Sequence, residues 1–491
     1  MNQHYGLIAA AKYFRPYAPQ MPEVDRRAFL QLASGVSLAF AGLHTRWLGV
    51  SRASLLDVGG PIGPHGPLIP DPAGLIDLPA GFTYHVFSQR GEEMNDGLLV
   101  PGQHDGMAAF PGPGGTTVLI RNHEISAAHR TVGPFGAHNE RLDRVDQQKI
   151  YDLGRTPFGT KLPSRGGCTR IVYDTRRREL LSHRLILAGT DHNCSGGPTP
   201  RGTWISCEET TVGPEHGLPW QQPHGYCFEV SADLDTGLVK PQPIKSMGRF
   251  RHEAVAVNPQ TGIVYLSEDL GDGLMYRYLP NDPAKLLEGG RLQAMAMTGR
   301  LSADTRDWEG VPPWSPGDVR AVHWIDVEDV DSADDSLRYQ GFEKGAARFA
   351  RAEGMWHGNN EIFFACTTGG RAKAGQLWRY RPSPPEIEGT SLEHERPATL
   401  ELFLQPDDPS VLENADNITQ SPGGDLVVCE DGGGEQFLLG VTPKGTVYPI
   451  ARNAMSNTEF AGCCYSPDGS TLFVNLQRPG LTLAITHQPN G

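Results

Sequence analysis

The chain has 491 residues, a formal net charge of −14 and 38% hydrophobic residues, with 59 glycines and 40 prolines. The acidic balance argues against a nucleic-acid-binding protein, because a phosphate backbone attracts basic surfaces. The hydrophobic content is enough for a packed core, and abundant glycine and proline favour many short strands joined by tight turns. The composition therefore argues against a disordered chain.

The N-terminal segment has the character of an export signal. Arg26-Arg27 precedes a mildly apolar run over residues 29–43, and a small-residue site follows at residues 51–53. This order is typical of a twin-arginine signal, whereas the apolar run is too short and too polar for a membrane span. We therefore predict a signal over residues 1–53, passage through the twin-arginine export machinery in the folded state, and a periplasmic or secreted protein.

The chain contains eight cysteines but no Cys-x-x-Cys spacing. A protein that folds before export does so in a reducing compartment, where thiols stay reduced. We therefore expect mostly free thiols.

Further along the chain, six apolar runs each end in a short polar cluster, and a strand-like stretch precedes each run. Turn sequences such as PGPGG, NPQTG and SPDG separate the two members of each pair, which predicts six β-hairpins. The runs are TVLIRNHE at 117–124, TWISCEE at 203–209, GIVYLSED at 262–269, EIFFACTT at 361–368, DLVVCED at 425–431 and TLFVNLQ at 471–477. The preceding stretches open on Asp105, Cys194, Glu253, Glu353, Asp416 and Glu459.

The spacing within each hairpin places its opening residue beside its closing polar cluster, because the two are 14 to 17 residues apart in all six. Six hairpins arranged radially predict an all-β, six-bladed β-propeller over residues 54–491, with insertions between the repeats. Propeller closure would gather the six openings around a central channel. Two unrelated β domains are the competing interpretation.

Such a ring concentrates negative charge on its inner face. Many carboxylates near one axis require protonation, solvation or bound cations, and cations are the simplest solution. Oxygen ligands favour calcium, while a thiolate at Cys194 suits a softer transition metal. The residues expected on this face are Asp105, Glu124, Cys194, Glu208, Glu209, Glu253, Glu268, Asp269, Glu353, Asp416, Glu430, Asp431 and Glu459.

Several long segments are similar to one known family. In order they are RNHE, CSGGPTPRGTWISCEE, GRFRHEAVAVNPQTGIVYLSED, EGMWHGN, CTTGG, DNITQSPGGDLVVCEDGG and EFAGCCYSPDGSTLFVNLQRPG. Together they resemble the PhoX-type alkaline phosphatases from about Gly102 to Gly480. The resemblance implies a six-bladed β-propeller that hydrolyses small-molecule phosphomonoesters with calcium and iron (Fe³⁺), which generate an oxide or hydroxide nucleophile. We expect a monomer.

The resemblance also implies roles for individual residues. Cys194 corresponds to the iron-binding thiolate, with Glu209 and Glu253 as nearby metal ligands. The carboxylates on the calcium side correspond to Glu353, Asp416 and Glu459, and two further metal ligands are placed at Asn122 and Glu208 by proximity to the motifs. Arg351 corresponds to the arginine that holds the phosphate, since its planar fork suits a phosphoryl group.

Two alternatives remain open at the level of sequence, because propellers host many chemistries. One is another propeller hydrolase, such as a phosphodiesterase, a phytase-like enzyme or a lactonase. The other is a non-catalytic binding propeller stabilised by metal.

Overall fold

The computed structural model of the chain describes residues 63–126, 129, 132–309 and 313–487. The predicted export signal over residues 1–53 lies outside these residues. Within them the regular secondary structure is almost entirely β-strand, in agreement with the many short strands that the composition predicted.

The described residues form 27 strands. In chain order they are β1 (Leu68–Ile69), β2 (Ile76–Pro79), β3 (Phe82–Gln89), β4 (His104–Pro111), β5 (Thr117–His123), β6 (Gly166–Asp174), β7 (Glu179–Thr190), β8 (Asn193–Pro198), β9 (Thr203–Glu208), β10 (Cys227–Ser231), β11 (His252–Val257), β12 (Val264–Glu268), β13 (Gly273–Pro280), β14 (Gly290–Met297), β15 (Val319–Asp326), β16 (Arg348–Phe349), β17 (Ala352–Gly358), β18 (Glu361–Cys366), β19 (Gln376–Arg381), β20 (Thr399–Leu404), β21 (Ala415–Gln420), β22 (Leu426–Glu430), β23 (Phe437–Val441), β24 (Val447–Asn453), β25 (Phe460–Tyr465), β26 (Thr471–Leu476) and β27 (Leu481–His487).

Helices are short in the described part of the chain. The α-helix α1 spans Leu337–Glu343. The 3-10 turns span Pro113–Gly115, Leu142–Arg144, Gln147–Lys149, Pro214–His216, Lys245–Met247, Leu286–Glu288 and Ser391–Glu395. Among these residues no helix has the length and apolar character needed to cross a membrane.

The six predicted hairpins are confirmed. Strands β4 and β5, β8 and β9, β11 and β12, β17 and β18, β21 and β22, and β25 and β26 each pair in antiparallel fashion. The first strands of these hairpins contact one another in chain order, from β4 through β8, β11, β17 and β21 to β25, and β25 contacts β4 in turn. The fold is therefore all-β and propeller-like.

The sheets differ from six separate blades. Four sheets have the strand orders β4-β5-β6-β7, β10-β9-β8, β1-β2-β24-β23-β22-β21 and β25-β26-β27-β3. A ten-stranded sheet runs β11-β12-β13-β14-β15-β20-β19-β18-β17, with β16 beside β13. Two blade-sized units join because β15 pairs with β14 through residues 322–326 and with β20 through residues 319–321.

The hydrophobic core lies between neighbouring sheets. Ile205 of β9 packs in one cluster with Val255 of β11 and Leu266 of β12. On its other side, Trp204 of β9 packs with Val118 and Ile186 of the β4–β7 sheet. Alternating side chains of one strand thus fill the spaces on both sides of its sheet, as a radial arrangement of sheets requires.

Glycines allow the first strands to approach one another closely around the centre. A Cβ atom on Gly354 would lie 2.4 Å from the carbonyl oxygen of Asp416, and one on Gly462 would lie 2.2 Å from that of Asp105. Both contacts are with backbone of the next hairpin. A side chain at either position would push neighbouring hairpins apart.

We therefore expect Gly354→Ala to destabilise the fold. Overpacking of this kind costs about 1–3 kcal/mol in free energy of unfolding, and thermal denaturation should show a lower Tm. Gly237→Ala is the matched control, because no atom lies within 4 Å of a Cβ built on that exposed glycine. Equal Tm values for the two variants would contradict the close approach.

Candidate functional site

One backbone hydrogen bond closes the inner end of every hairpin. The residue after the second strand donates its N–H to the carbonyl oxygen of a residue just before the first strand, over 2.9 to 3.4 Å. We call these the exit residue and the entry residue. The entry residues are Gln103, His192, Arg251, Arg351, Asn414 and Glu459. The corresponding exit residues are Glu124, Glu209, Asp269, Thr367, Asp431 and Gln477.

A third position lies two residues beyond each entry residue, where the strand register shifts. We call its occupant the bulge residue, since a β-bulge redirects a side chain away from the regular alternation. The bulge residues are Asp105, Cys194, Glu253, Glu353, Asp416 and Ala461. Glu459, which the sequence pattern grouped with the other five opening residues, therefore occupies the entry position instead.

These three positions supply every described group of residues whose His, Cys, Asp or Glu ligand atoms lie mutually within 4.8 Å. The groups are Cys194-Glu209-Glu253, Glu253-Glu353-Asp416, Asp105-Glu124-Glu459 and Glu124-His192-Glu209. They form one continuous cluster, because the first two share Glu253 and the last shares a residue with each of two others. The hairpin repeat thus builds the site.

The first group combines sulfur and oxygen. Cys194 comes from β8, Glu209 follows β9 and Glu253 comes from β11, so two neighbouring hairpins meet here. Burial raises the pKa of the Cys194 thiol well above its usual value, and the charge of Glu253 adds to the increase. Only a nearby cation would favour the thiolate in this setting. The donor set of one sulfur and two carboxylates fits a transition metal such as iron.

The second group contains oxygen ligands only. Glu253, Glu353 and Asp416 are all buried, and they come from three successive hairpins. Burial raises the pKa of Asp416 to about 7, with a further contribution from the charge of Asp431. Burial and the charge of Asp269 likewise raise the pKa of Glu353. Three carboxylates in one place fit a hard cation such as calcium.

The third group is also built from oxygen ligands and holds an unsatisfied atom. Oδ1 of Asp105 is buried and has no hydrogen-bond partner among the described residues. Its Oδ2 accepts from Nε2 of Gln477 at 3.1 Å, and Gln477 donates to Glu124 at 2.6 Å as well. A buried carboxylate oxygen without a partner is costly unless a cation satisfies it. This group therefore also fits a hard cation.

Arg351 lies beside the carboxylates, at the entry position of the fourth hairpin. Its backbone has a positive φ of 54°. Its guanidinium donates to Asp269 from Nε and Nη2, both at 2.9 Å, and to Glu353 from Nη2. The side chain is 34% exposed, in contrast to 7% for both partners. Arg351 is therefore held by buried carboxylates but remains accessible at the mouth of the cluster.

Comparison with known proteins assigns the chain to a family. The model of the family described as alkaline phosphatase PhoX matches residues 63–480. The chain belongs to this PhoX family. No curated protein gives a match.

Among solved structures, PhoX from Pseudomonas fluorescens in complex with vanadate, a transition state analogue, is similar with a TM-score of 0.62 and 17% identity. The alignment covers 84% of this chain and 96% of that one, and at this identity it shows a shared fold. A gluconolactonase from Xanthomonas campestris aligns over 87% of this chain and 98% of its own, with 11% identity and a TM-score of 0.38.

The structure brings together Cys194, Glu209, Glu253, Glu353, Asp416 and Glu459 of the sequence-predicted ligands, whereas both polar atoms of Asn122 are engaged in hydrogen bonds. Oδ1 of Asn122 accepts from Trp204 Nε1 at 2.9 Å and from the Ser206 hydroxyl at 3.0 Å. Its Nδ2 donates to the carbonyl oxygens of Cys194 and Ser195 at 3.3 and 2.6 Å. Asn122 therefore positions the backbone of Cys194, and its own oxygen is already occupied.

Glu208 also lies outside the ligand groups of this PhoX family member. It immediately precedes the exit residue Glu209, so strand alternation turns its side chain away from the site. Its carboxylate accepts from the backbone N–H groups of Asp191, Gly225 and Tyr226. Glu268 and Glu430, at the same position in other hairpins, accept from the backbone N–H groups of Leu274 and Phe437. These glutamates hold the loops around the site.

The sequence pattern placed Asp105 and Glu124 on the inner face without making them ligands, and it missed His192. A signal for His192 was present, since it precedes Cys194 by two residues just as Arg351 precedes Glu353. This two-residue spacing indicates a related position for His192 and Arg351 only once the structure shows that both pairs begin equivalent strands.

Glu208 has a further partner that generates a pH dependence. Nδ1 of His224 lies 2.6 Å from Glu208 and Nε2 lies 3.3 Å from Asp152, all fully buried. Burial alone would lower the pKa of His224, but the charge of Glu208 and hydrogen bonds to both carboxylates outweigh it and raise the pKa to about 10. The protonated ring therefore stabilises the folded state.

Because the folded-state pKa is raised, this stabilisation is fully present below pH 6.5 and is lost as the pH rises through about 10. We expect the Tm of the wild type to fall across this range. His224→Gln should have a lower Tm at neutral pH but a shallower dependence of Tm on pH. Thermal melts over the range test this, and parallel curves for the two proteins would contradict it.

Proposed function

We propose that the chain is an exported phosphomonoesterase that depends on iron and calcium and acts at the continuous cluster formed by the four ligand groups. Family membership supports the phosphatase reaction. The observation that carries the metal assignment is the division of the ligands into a sulfur-containing group and all-oxygen groups within one continuous cluster.

Iron in this proposal is held by Cys194, Glu209 and Glu253. Calcium is held by the oxygen groups, which draw on Glu253, Glu353 and Asp416 on one side and on Asp105, Glu124 and Glu459 on the other. Bound cations would polarise the phosphoryl oxygens and supply the nucleophile. The absence of Gly-x-Ser-x-Gly from the sequence agrees with chemistry that needs no serine nucleophile.

Arg351 would contact the phosphate. Its fork is orientated by Asp269 and Glu353 before substrate arrives, and its partial exposure leaves it within reach of an anion at the mouth. A preorganised guanidinium stabilises charge that develops on the phosphoryl oxygens without a reorganisation cost. The protein's contribution is thus placement of the phosphate against the cations.

We further propose that the propeller has six blades. The closed series of contacts among the first strands of six hairpins supports this count, with β15 as the bridge between the third and fourth blades. The sequence of residues 1–53 supports export through the twin-arginine route. Passage in the folded state would allow metal to be inserted beforehand.

The primary experiment is hydrolysis of p-nitrophenyl phosphate with and without a calcium chelator, combined with elemental analysis. We expect turnover that is lost on chelation and restored by added Ca²⁺, since the oxygen groups would then be refilled. Hydrolysis of diesters or lactones alone would favour another propeller hydrolase. Bound metal without turnover of any of these substrates would favour a binding protein.

Cys194→Ser tests the iron assignment. A thiolate bound to ferric iron absorbs visible light, so this variant should lose both colour and iron. Cys464→Ser is the matched control, because Cys464 is another buried strand cysteine but packs in a core cluster with Phe473 and Tyr173. If Cys194→Ser keeps the colour and iron of the wild type, Cys194 is not a ligand.

A further inference from the structure

His192 occupies the same place in the second hairpin as Arg351 does in the fourth. Both are entry residues, and both have a positive φ, 56° for His192 and 54° for Arg351. The left-handed conformation is uncommon outside glycine and persists where the surrounding structure requires it. The repeat thus gives the two side chains equivalent starting directions.

The contacts of the two side chains are equivalent as well. Arg351 donates to Asp269, which is the exit residue of the preceding hairpin. Nε2 of His192 lies 2.9 Å from Oε1 of Glu124, which is likewise the exit residue of the preceding hairpin. Each side chain therefore places nitrogen donors against a carboxylate contributed by its neighbour in the ring.

The second ring nitrogen orientates His192. Its Nδ1 lies 3.1 Å from the carbonyl oxygen of Glu209, and a carbonyl oxygen only accepts hydrogen bonds. Nδ1 therefore carries hydrogen and anchors the ring to the backbone. Nε2 faces the carboxylate of Glu124, which also only accepts, so Nε2 carries hydrogen as well and can donate to Glu124 or to another acceptor in front of it.

His192 is also accessible where most of the cluster is not. Its side chain is 24% exposed, compared with 34% for Arg351, whereas Cys194 retains only 3%. Its partner Glu124 belongs to a second group, with Asp105 and Glu459. A cation bound to that group would neutralise Glu124 and so weaken its attraction for the Nε2 hydrogen of His192.

We propose that His192 is a second substrate-contacting residue, which donates a hydrogen bond from Nε2 to a phosphoryl oxygen while Arg351 binds the phosphate from two hairpins away. This inference rests on the proposed phosphatase function. It gives the site two protein donors for the phosphate, one on each side of the hairpin that carries Glu253. The competing role for His192 is as a metal ligand together with Glu124 and Glu209.

The test compares His192→Ala and His192→Gln with the wild type in three measurements. These are kcat and KM for p-nitrophenyl phosphate, binding of inorganic phosphate and vanadate by calorimetry, and metal content. A lost hydrogen bond to a charged group should raise KM and weaken binding of both anions about tenfold or more. Metal content should stay unchanged, and glutamine should restore part of the binding because its amide still donates.

Arg251→Ala is the matched control. Arg251 is the entry residue of the third hairpin, but it is exposed, and its side chain makes no hydrogen bond or ion pair among the described residues. Loss of this positive charge should leave KM and anion binding unchanged. An equal rise in KM and an equal loss of anion binding in His192→Ala, His192→Gln and Arg251→Ala would show that only net charge matters. That result would overturn the specific contact of His192 with the phosphate.

Two other outcomes would overturn the proposal. Loss of metal from His192→Ala would make His192 a ligand, and unchanged KM and anion binding would remove it from the substrate site. Arg351→Ala serves as the positive control, because loss of a phosphate contact at Arg351 should likewise raise KM and weaken anion binding. If the metal-loaded wild type bound phosphate but hydrolysed no phosphomonoester, the proposed function would fail, while the binding measurements would still decide the role of His192.

Discussion

The site depends on one backbone hydrogen bond that is repeated around the ring. In each hairpin the exit N–H donates to the entry carbonyl, so the two inner ends of the hairpin remain side by side. The bulge that follows turns one more side chain toward the centre. Each hairpin thereby holds three positions in a rigid frame, and the first strands are close enough for ligands from different hairpins to meet. The glycines beside the bulge residues make this approach possible, because a Cβ there would collide with the neighbouring backbone.

The second constraint on the site is the repulsion among its buried carboxylates. Glu209, Glu253, Glu353 and Glu459 have pKa values raised chiefly by burial, with further contributions from the charges of neighbouring carboxylates. Such a cluster is strained electrostatically when it is fully ionised without cations. Arg351 and His192 relieve part of this repulsion at the mouth, where both are accessible. The same features that make the cluster unfavourable by itself suit it to bind cations, and in the proposed function a phosphate at those cations would meet Arg351 and His192 at the rim.

Much of this arrangement follows from the sequence. The alternation of apolar runs, turn residues and polar ends predicted the six hairpins, and the spacing within them predicted that their ends meet. Cys194, Glu253, Glu353 and Asp416 were placed on the inner face because each opens a hairpin, and the structure assigns all four to bulge positions. The sixth hairpin misled the pattern, since Glu459 precedes the equivalent position and Ala461 occupies it. The sequence pattern also could not predict the number of separate sheets, because the pairing of β15 with β14 and with β20 involves the long insertions between the hairpins.

The sequence by itself determined the repeat, the chemistry of its ends and the family, because these depend on local periodicity and on residue identity. Only the tertiary structure decided which member of an adjacent acidic pair faces the site. Glu208 and Glu209 are indistinguishable by composition, but neighbouring residues of a strand point to opposite faces, so one holds a loop and the other joins Cys194. The role inferred for His192 is likewise tertiary. It depends on the carboxylate of Glu124 in the preceding hairpin, because the packing of β4 against β8 brings that carboxylate to 2.9 Å from a residue 68 positions later in the chain.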